Sequence, residues 1–175
     1  PDLDLLIFTG VAGAANSDQN QWDILLADAV VQHDMDASPL FPRFTLPPLN
    51  RDRLEPEPDW FTWSVQALKN AAGNGELQGF GGVSSGLIAT GDRFIGDASL
   101  RQELRDALPG LQAVEMEGGA VAQVAEQEGI PWLLIRVISD GADESAAQSF
   151  TDFVQVYEQQ AWRLIEALLR RLNNP

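Results

Sequence analysis

The chain has 175 residues, 45% of them apolar, and a formal net charge of −15 at pH 7. That length and apolar content fit one domain with a sizeable core, while the charge repels phosphate backbones and excludes nucleic acid as an expected partner. Cysteine is absent and His33 is the single histidine, which excludes a disulfide framework, a thiolate nucleophile and a multi-histidine metal centre. No apolar stretch approaches the roughly 20 residues that span a bilayer, and no charged leader precedes an apolar run. The expectation is a cytoplasmic protein without membrane contact or metal.

In chain order, Leu3 to Thr9 is an apolar run closed by Gly10 and reads as a buried strand. Gly10-Val11-Ala12-Gly13-Ala14-Ala15 reads as a small-residue loop. Ile24 to Gln32 is a second strand by its valines and length. Asp34 to Pro58 contains Pro39, Pro42, Pro47, Pro48, Pro56 and Pro58. Proline fixes φ and removes backbone donors, so this is expected as a long surface loop. Asp59 is placed to cap a helix running to about Ala72 and ended by Gly73. Val83 to Thr90 is a third strand, interrupted by Gly86.

Asp97 can cap the next helix, whose Leu100, Leu104 and Leu108 share one face before Pro109-Gly110 stops it. Ala113 to Met116 is a short strand, Glu117 to Glu128 a helix closed by Gly129, and Trp132 to Ser139 a strongly apolar strand. Ser149 with Asp152 resembles a capping box that opens a final helix to about Leu172. Strands alternate with helices throughout, so the fold class is α/β, expected as one domain over residues 1–175.

In α/β sheets, ligands sit beyond the carboxyl ends of the strands, which selects four places. After Thr9 lies Gly10-Val11-Ala12-Gly13, either an ordinary turn or a backbone that approaches a ligand closely. After Thr90 lies Gly91-Asp92-Arg93-Phe94-Ile95, whose Phe-Ile pair is either a core aromatic pair or an apolar wall. Around Val114-Glu115-Met116-Glu117, alternation sets both glutamates on one side and Met116 on the other. Glu117 there either serves chemistry or favours a helix N-terminus. In Arg136-Val137-Ile138-Ser139-Asp140-Gly141-Ala142-Asp143, a charged Arg136 inside an apolar strand needs a partner. Asp140 just past that strand is a turn former or, beside the buried arginine, a functional carboxylate.

Taken together, VEMEGGAVAQVA followed by IPWLLIRVISDGAD resembles the paired signature of the purine nucleoside phosphorylase/nucleosidase superfamily. Within it, the chain is most similar to the methylthioadenosine/S-adenosylhomocysteine nucleosidases. ATGDRFI resembles their purine-loop motif, TGVAGA their first glycine loop, and HDMDAS the segment after the next strand, with order and spacing agreeing along nearly all 175 residues. The resemblance implies a three-layer phosphorylase/hydrolase-like α/β domain, in which a twisted mixed central sheet is flanked by helices. It implies a cofactor-free N-glycosyl hydrolase of methionine salvage that releases adenine from methylthioadenosine and adenosylhomocysteine.

By position, Asp140 matches the aspartate that protonates the purine and Glu117 the glutamate that binds the ribose hydroxyls. Met116 matches a residue packing on the ribose, and Phe94 and Val114 match residues flanking the base. Ile95 matches the residue whose backbone reads the adenine edge. Arg136 and Ser139 match supporting positions, with Arg136 oriented toward the carboxylates. A homodimer is expected, with Asp34 to Pro48 near the partner's site, because that long proline-rich loop carries Leu40, Phe41 and Phe44, which are poorly placed in water.

The chain departs from that pattern in two ways. Val11 stands where many nucleosidases carry a small hydroxyl residue near the ribose and water. The family's catalytic base is a glutamate upstream of Pro1, so the family's N-terminal segment is expected to be missing, along with strands that would pair with Leu3 to Thr9. Two alternatives stay open. A phosphorylase would need cations for phosphate, and the first basic residue here is Arg43. A non-catalytic nucleoside-binding or structural relative would tolerate the loss of the base.

Overall fold

The structure is a computed structural model that describes residues 3–142 and 146–172, the side chains at 148 and 149 excepted. Its elements run β1 (Leu6–Ala14), β2 (Ile24–Gln32), α1 (Pro58–Gly73), β3 (Val83–Thr90), α2 (Ala98–Ala107), β4 (Leu111–Glu115), α3 (Gly118–Glu128), β5 (Trp132–Asp140), α4 (Ala146–Tyr157) and α5 (Trp162–Leu172). The sheet is mixed and closes on itself in the order β1-β4-β3-β2-β5. β1 and β5, β2 and β3, and β3 and β4 pair in parallel, while β1 with β4 and β2 with β5 are antiparallel.

Strand alternation sends successive side chains to opposite faces, and helices cover both. Ile24, Leu26, Ile135 and Val137 pack against Leu68 of α1 and Leu164 and Leu168 of α5. Leu25, Leu134 and Ile138 face the other way, onto Ala122 and Ala125 of α3. Every residue of β5 is buried, and burying each of its Leu or Ile side chains contributes about 1.5–3 kcal/mol.

The closure creates the site. β1 and β4 touch only where both end, at Gly13↔Val114 and Ala14↔Ala113. On its other side β1 pairs with β5, and Gly13 is the register partner of Asp140. Gly13 therefore joins the carboxyl ends of three strands at one seam. The register slips there, with Ala12 opposite Ile138 and Gly13 opposite Asp140, leaving Ser139 as an unopposed bulge residue. Bulges re-aim side chains.

Several local expectations change. TGVAGA is strand, not loop, because β1 runs on to Ala14. Its small residues are needed by neighbours: a Cβ on Gly10 would come within 3.2 Å of the Arg136 guanidinium. The α1 cap is Glu57, whose carboxylate accepts from the Trp60 N–H at 2.9 Å, with Pro58 preset for the first helical turn. The C-terminal helix is two helices, broken at 158–161, and α4 begins at Ala146, so Ser149 falls inside it rather than at its cap. The proline-rich stretch is anchored, with Leu46 and Leu54 buried and a bridge from Leu54 to Val30. Along Leu6–Ala12, the edge of β1 away from β5 carries no paired strand among the described residues. Asp143 lies outside the described residues.

Candidate active site

Asp140 ends β5 with its side chain buried and both carboxylate oxygens held. Ser139 Oγ lies 2.6 Å from Oδ2, and the Ala142 N–H donates to Oδ1 at 2.8 Å. The Ser139 hydroxyl also lies 3.2 Å from the Ala12 carbonyl; with a single proton to donate, it is better placed for the nearer acceptor, Asp140 Oδ2. The bulge at Ser139 is what turns this hydroxyl toward the neighbouring carboxylate.

Glu115 ends β4 and occupies the interior. Its Oε2 accepts from Arg136 Nη2 at 2.7 Å and from Nε at 3.2 Å, and the two side chains are only 2% and 1% exposed. A buried ion pair offsets its desolvation cost only if its remaining hydrogen-bonding capacity is met, and here it is. Glu115 also accepts from the Gly118 N–H at 2.7 Å, the Glu117 N–H at 3.2 Å and the Thr90 hydroxyl. Arg136 donates further to the Phe8 and Ile135 carbonyls and lies over the Phe8 ring, 4.5 Å from its centroid. Through Glu115, Arg136 fixes the turn from β4 into α3. That turn presents Met116 and Glu117 outward, both exposed, and Glu117 makes no capping hydrogen bond with its own side chain. The strand ends at Glu115, so alternation fails one residue on. Glu115 turns inward, and Glu117 does not share its side.

A cavity of about 130 Å³ opens at the seam, lined by Val11, Gly13, Phe94, Val114, Met116, Glu117, Ser139, Asp140 and Phe150 among others. A smaller hollow of about 30 Å³ adjoins it and adds Arg93 and Ile95. Of the nine site residues expected from the sequence, the structure gathers Asp140, Glu117, Phe94, Ile95, Val114, Met116, Ser139 and Val11 around this cleft. Arg136 is the exception: it lies behind the cleft, paired with Glu115 rather than with Glu117 or Asp140. Roomier hollows beside Trp132 (about 360 Å³) and beside Trp22 (about 320 Å³) include neither Asp140 nor Glu117 in their walls.

Three further cleft residues carry weaker sequence signals. Phe150 of α4 lines the cavity and meets Phe94 edge-on, ring centroids 6.3 Å apart at 74°. Nothing in a helical pattern that also contains Phe153 singles it out. Gly13 lies close under the acid: a Cβ there would stand 2.9 Å from Asp140 Oδ1. Arg93 sits in the motif between Asp92 and Phe94, where only the fold shows that it borders the hollow.

His33, just past β2, is buried against Gly91, and its Nε2 has no hydrogen-bond partner in the structure. Burial pushes its pKa below the ordinary value, against the opposing pull of Asp34. Among the described residues, no group of three histidine, aspartate or glutamate side chains is placed to hold a metal ion, and no helix is long and apolar enough to cross a membrane.

The chain matches the phosphorylase superfamily over residues 2–170. It is 32% identical over 172 residues to the 5′-methylthioadenosine/S-adenosylhomocysteine nucleosidase of Staphylococcus aureus strain JH9, an alignment covering 97% of this chain and 71% of the relative. Among solved structures, the nucleosidase of the same name from Neisseria meningitidis, in complex with methylthio-immucillin-A, superposes with a TM-score of 0.84 at 27% identity. That superposition covers 96% of this chain and 70% of the other. The futalosine hydrolase of Helicobacter pylori strain 26695 superposes with a TM-score of 0.83 at 28% identity, covering 96% and 68%. With shared sequence along almost the whole length and the same arrangement in space, the chain belongs to the phosphorylase superfamily.

Proposed function

We propose that the full-length protein hydrolyses the N-glycosidic bond of 5′-methylthioadenosine and S-adenosylhomocysteine and releases adenine. The observation that carries this reading is the buried, doubly hydrogen-bonded Asp140 opening onto a cleft lined by the Phe94–Phe150 pair and an exposed Glu117. Cleaving an N-glycosidic bond builds positive charge on the ribose and negative charge on the departing purine. Asp140, protonated, delivers a proton to the leaving base. Glu117 accepts from the ribose hydroxyls, which positions the sugar and favours its growing positive charge. Phe94 and Val114 hold the flat base and Met116 the sugar, with Phe150 packed edge-on against Phe94 in the cavity lining. The Ile95 backbone borders the base edge in the adjoining hollow. Ser139 orients the acid, and Arg136 supports the site from behind, through Glu115.

Water rather than phosphate is favoured as nucleophile because no basic side chain among the described residues lines the larger cavity, Arg93 bordering only the adjoining hollow. Val11 offers that water no hydrogen bond, so its activation falls to groups other than Val11. The test is Asp140→Asn in the full-length protein, with adenine release measured on 5′-methylthioadenosine. Turnover is expected to fall about a hundredfold or more with folding retained, in line with general-acid contributions. Turnover close to wild type would refute the assignment.

A further inference from the structure

Arg101 lies in the first turn of α2, half-buried and one turn before the buried Leu104, and its side chain crosses to the loop after β5. There its Nη1 donates to the Gly141 carbonyl. The next atoms along that peptide are the Ala142 N–H, which donates to Asp140 Oδ1 at 2.8 Å. One peptide group thus joins a guanidinium to the carboxylate read above as the general acid. A trans peptide is planar, with its C=O and N–H pointing in opposite directions, so fixing the carbonyl end aims the N–H at the other. A charged donor on the carbonyl also polarises the peptide and strengthens what its N–H donates.

The peptide needs such a hold. Ala142 has φ of +46°, the left-handed region that a side-chain-bearing residue adopts only when its surroundings impose it, and it is fully buried. Arg101 also belongs to the helix that leaves the Phe94–Ile95 wall. Asp97 caps that helix, accepting from the Ser99 and Leu100 N–H groups at 2.7 and 3.1 Å.

We propose that Arg101 is a positioning residue for Asp140, acting through the Gly141–Ala142 peptide; this rests on the reading of Asp140 as the general acid. The guanidinium touches no reacting atom. Its effect belongs in the chemical step and not in nucleoside binding, because the contact orients the acid and leaves the cleft walls in place.

The test uses Arg101→Met and Arg101→Lys in the full-length protein, with kcat, KM and Tm measured on 5′-methylthioadenosine and the Ala142 amide proton followed by NMR. For Arg101→Met, kcat is expected to fall about tenfold or more, as for a small misplacement of a catalytic group, with KM and Tm unchanged and the Ala142 amide proton moved upfield. Arg101→Lys, which keeps a cationic donor, should recover most of the kcat. A wild-type kcat in Arg101→Met with an unmoved Ala142 resonance overturns the proposal. So does a loss of Tm matched by a rise in KM, which would make Arg101 only a tie for α2. If the wild-type protein cleaves no nucleoside, the functional reading fails, while the Ala142 resonance still decides whether Arg101 orients Asp140.

Discussion

A methyl group on Gly13 would stand 2.9 Å from Asp140 Oδ1 and 3.0 Å from the Ala142 Cβ, so the acid lies where only a residue without a side chain leaves it room. Gly13 also pairs with Val114 and Asp140 across the seam. Gly13→Ala is therefore expected to displace the acid without unfolding the sheet. Overpacking of this kind costs about 1–3 kcal/mol. Steady-state kinetics beside thermal unfolding should show turnover lost by about tenfold or more, beyond what the modest loss of stability accounts for. Unchanged turnover would mean that the carboxylate has room to move.

The Glu115–Arg136 pair predicts a pattern in stability. Removing one partner leaves a buried charge uncompensated, at a cost of about 3–5 kcal/mol. Arg136→Met and Glu115→Leu should each destabilise by that order in denaturant unfolding. The double variant should lie closer to wild type than the sum of the singles. Additive losses would show that the two groups are not coupled in the folded protein.

His33 predicts a response to acid. Its folded pKa lies below the ordinary value of 6.5 because burial disfavours the imidazolium. Between the folded and unfolded pKa values, the unfolded chain binds more protons, so stability rises with pH across that window. The contribution of His33 is complete above about pH 6.5 and is lost as pH falls below it, toward the depressed folded value. Unfolding free energy measured from pH 7.5 to 5 should decline for the wild type and decline less for His33→Gln. Identical slopes would remove His33 as the cause.

The proline-rich stretch predicts association. Leu40 is 84% exposed on a segment that Leu46 and Leu54 anchor to the core, and Arg43 lies over the Phe44 ring nearby. With the half-buried Phe41 and Phe44 beside it, Leu40 forms an apolar group on an anchored segment, which suits a partner surface. The full-length protein is expected to be a homodimer by light scattering at micromolar concentration, with Leu40→Glu shifting it toward monomer. A monomeric wild type would contradict this.

Much of this architecture is legible in the residues themselves. β2, β3 and the Asp97 cap of α2 follow from apolar runs and capping chemistry that act over a few residues. The end of β1 is not legible, because glycine and alanine punctuate a sequence in the same way whether they turn a chain or make room for a neighbour. Here Gly10 and Gly13 make room for Arg136 and Asp140, residues more than 120 positions away. A charge inside the β5 pattern announces that Arg136 needs a partner. Choosing Glu115 over Glu117 requires knowing that the strand stops at Glu115. Phe150 and Arg101 carry no signal of their own: an aromatic in an apolar helix reads as core, and an arginine beside a leucine stripe reads as a solvated face.

The central claim is cleavage of a nucleoside by water with a purine leaving group. The most direct measurement is product identification after incubating the full-length protein with 5′-methylthioadenosine, with and without inorganic phosphate. The account predicts adenine and free 5-methylthioribose in both samples, at the same rate. Formation of the sugar 1-phosphate that depends on phosphate, or no adenine in either sample, would contradict it.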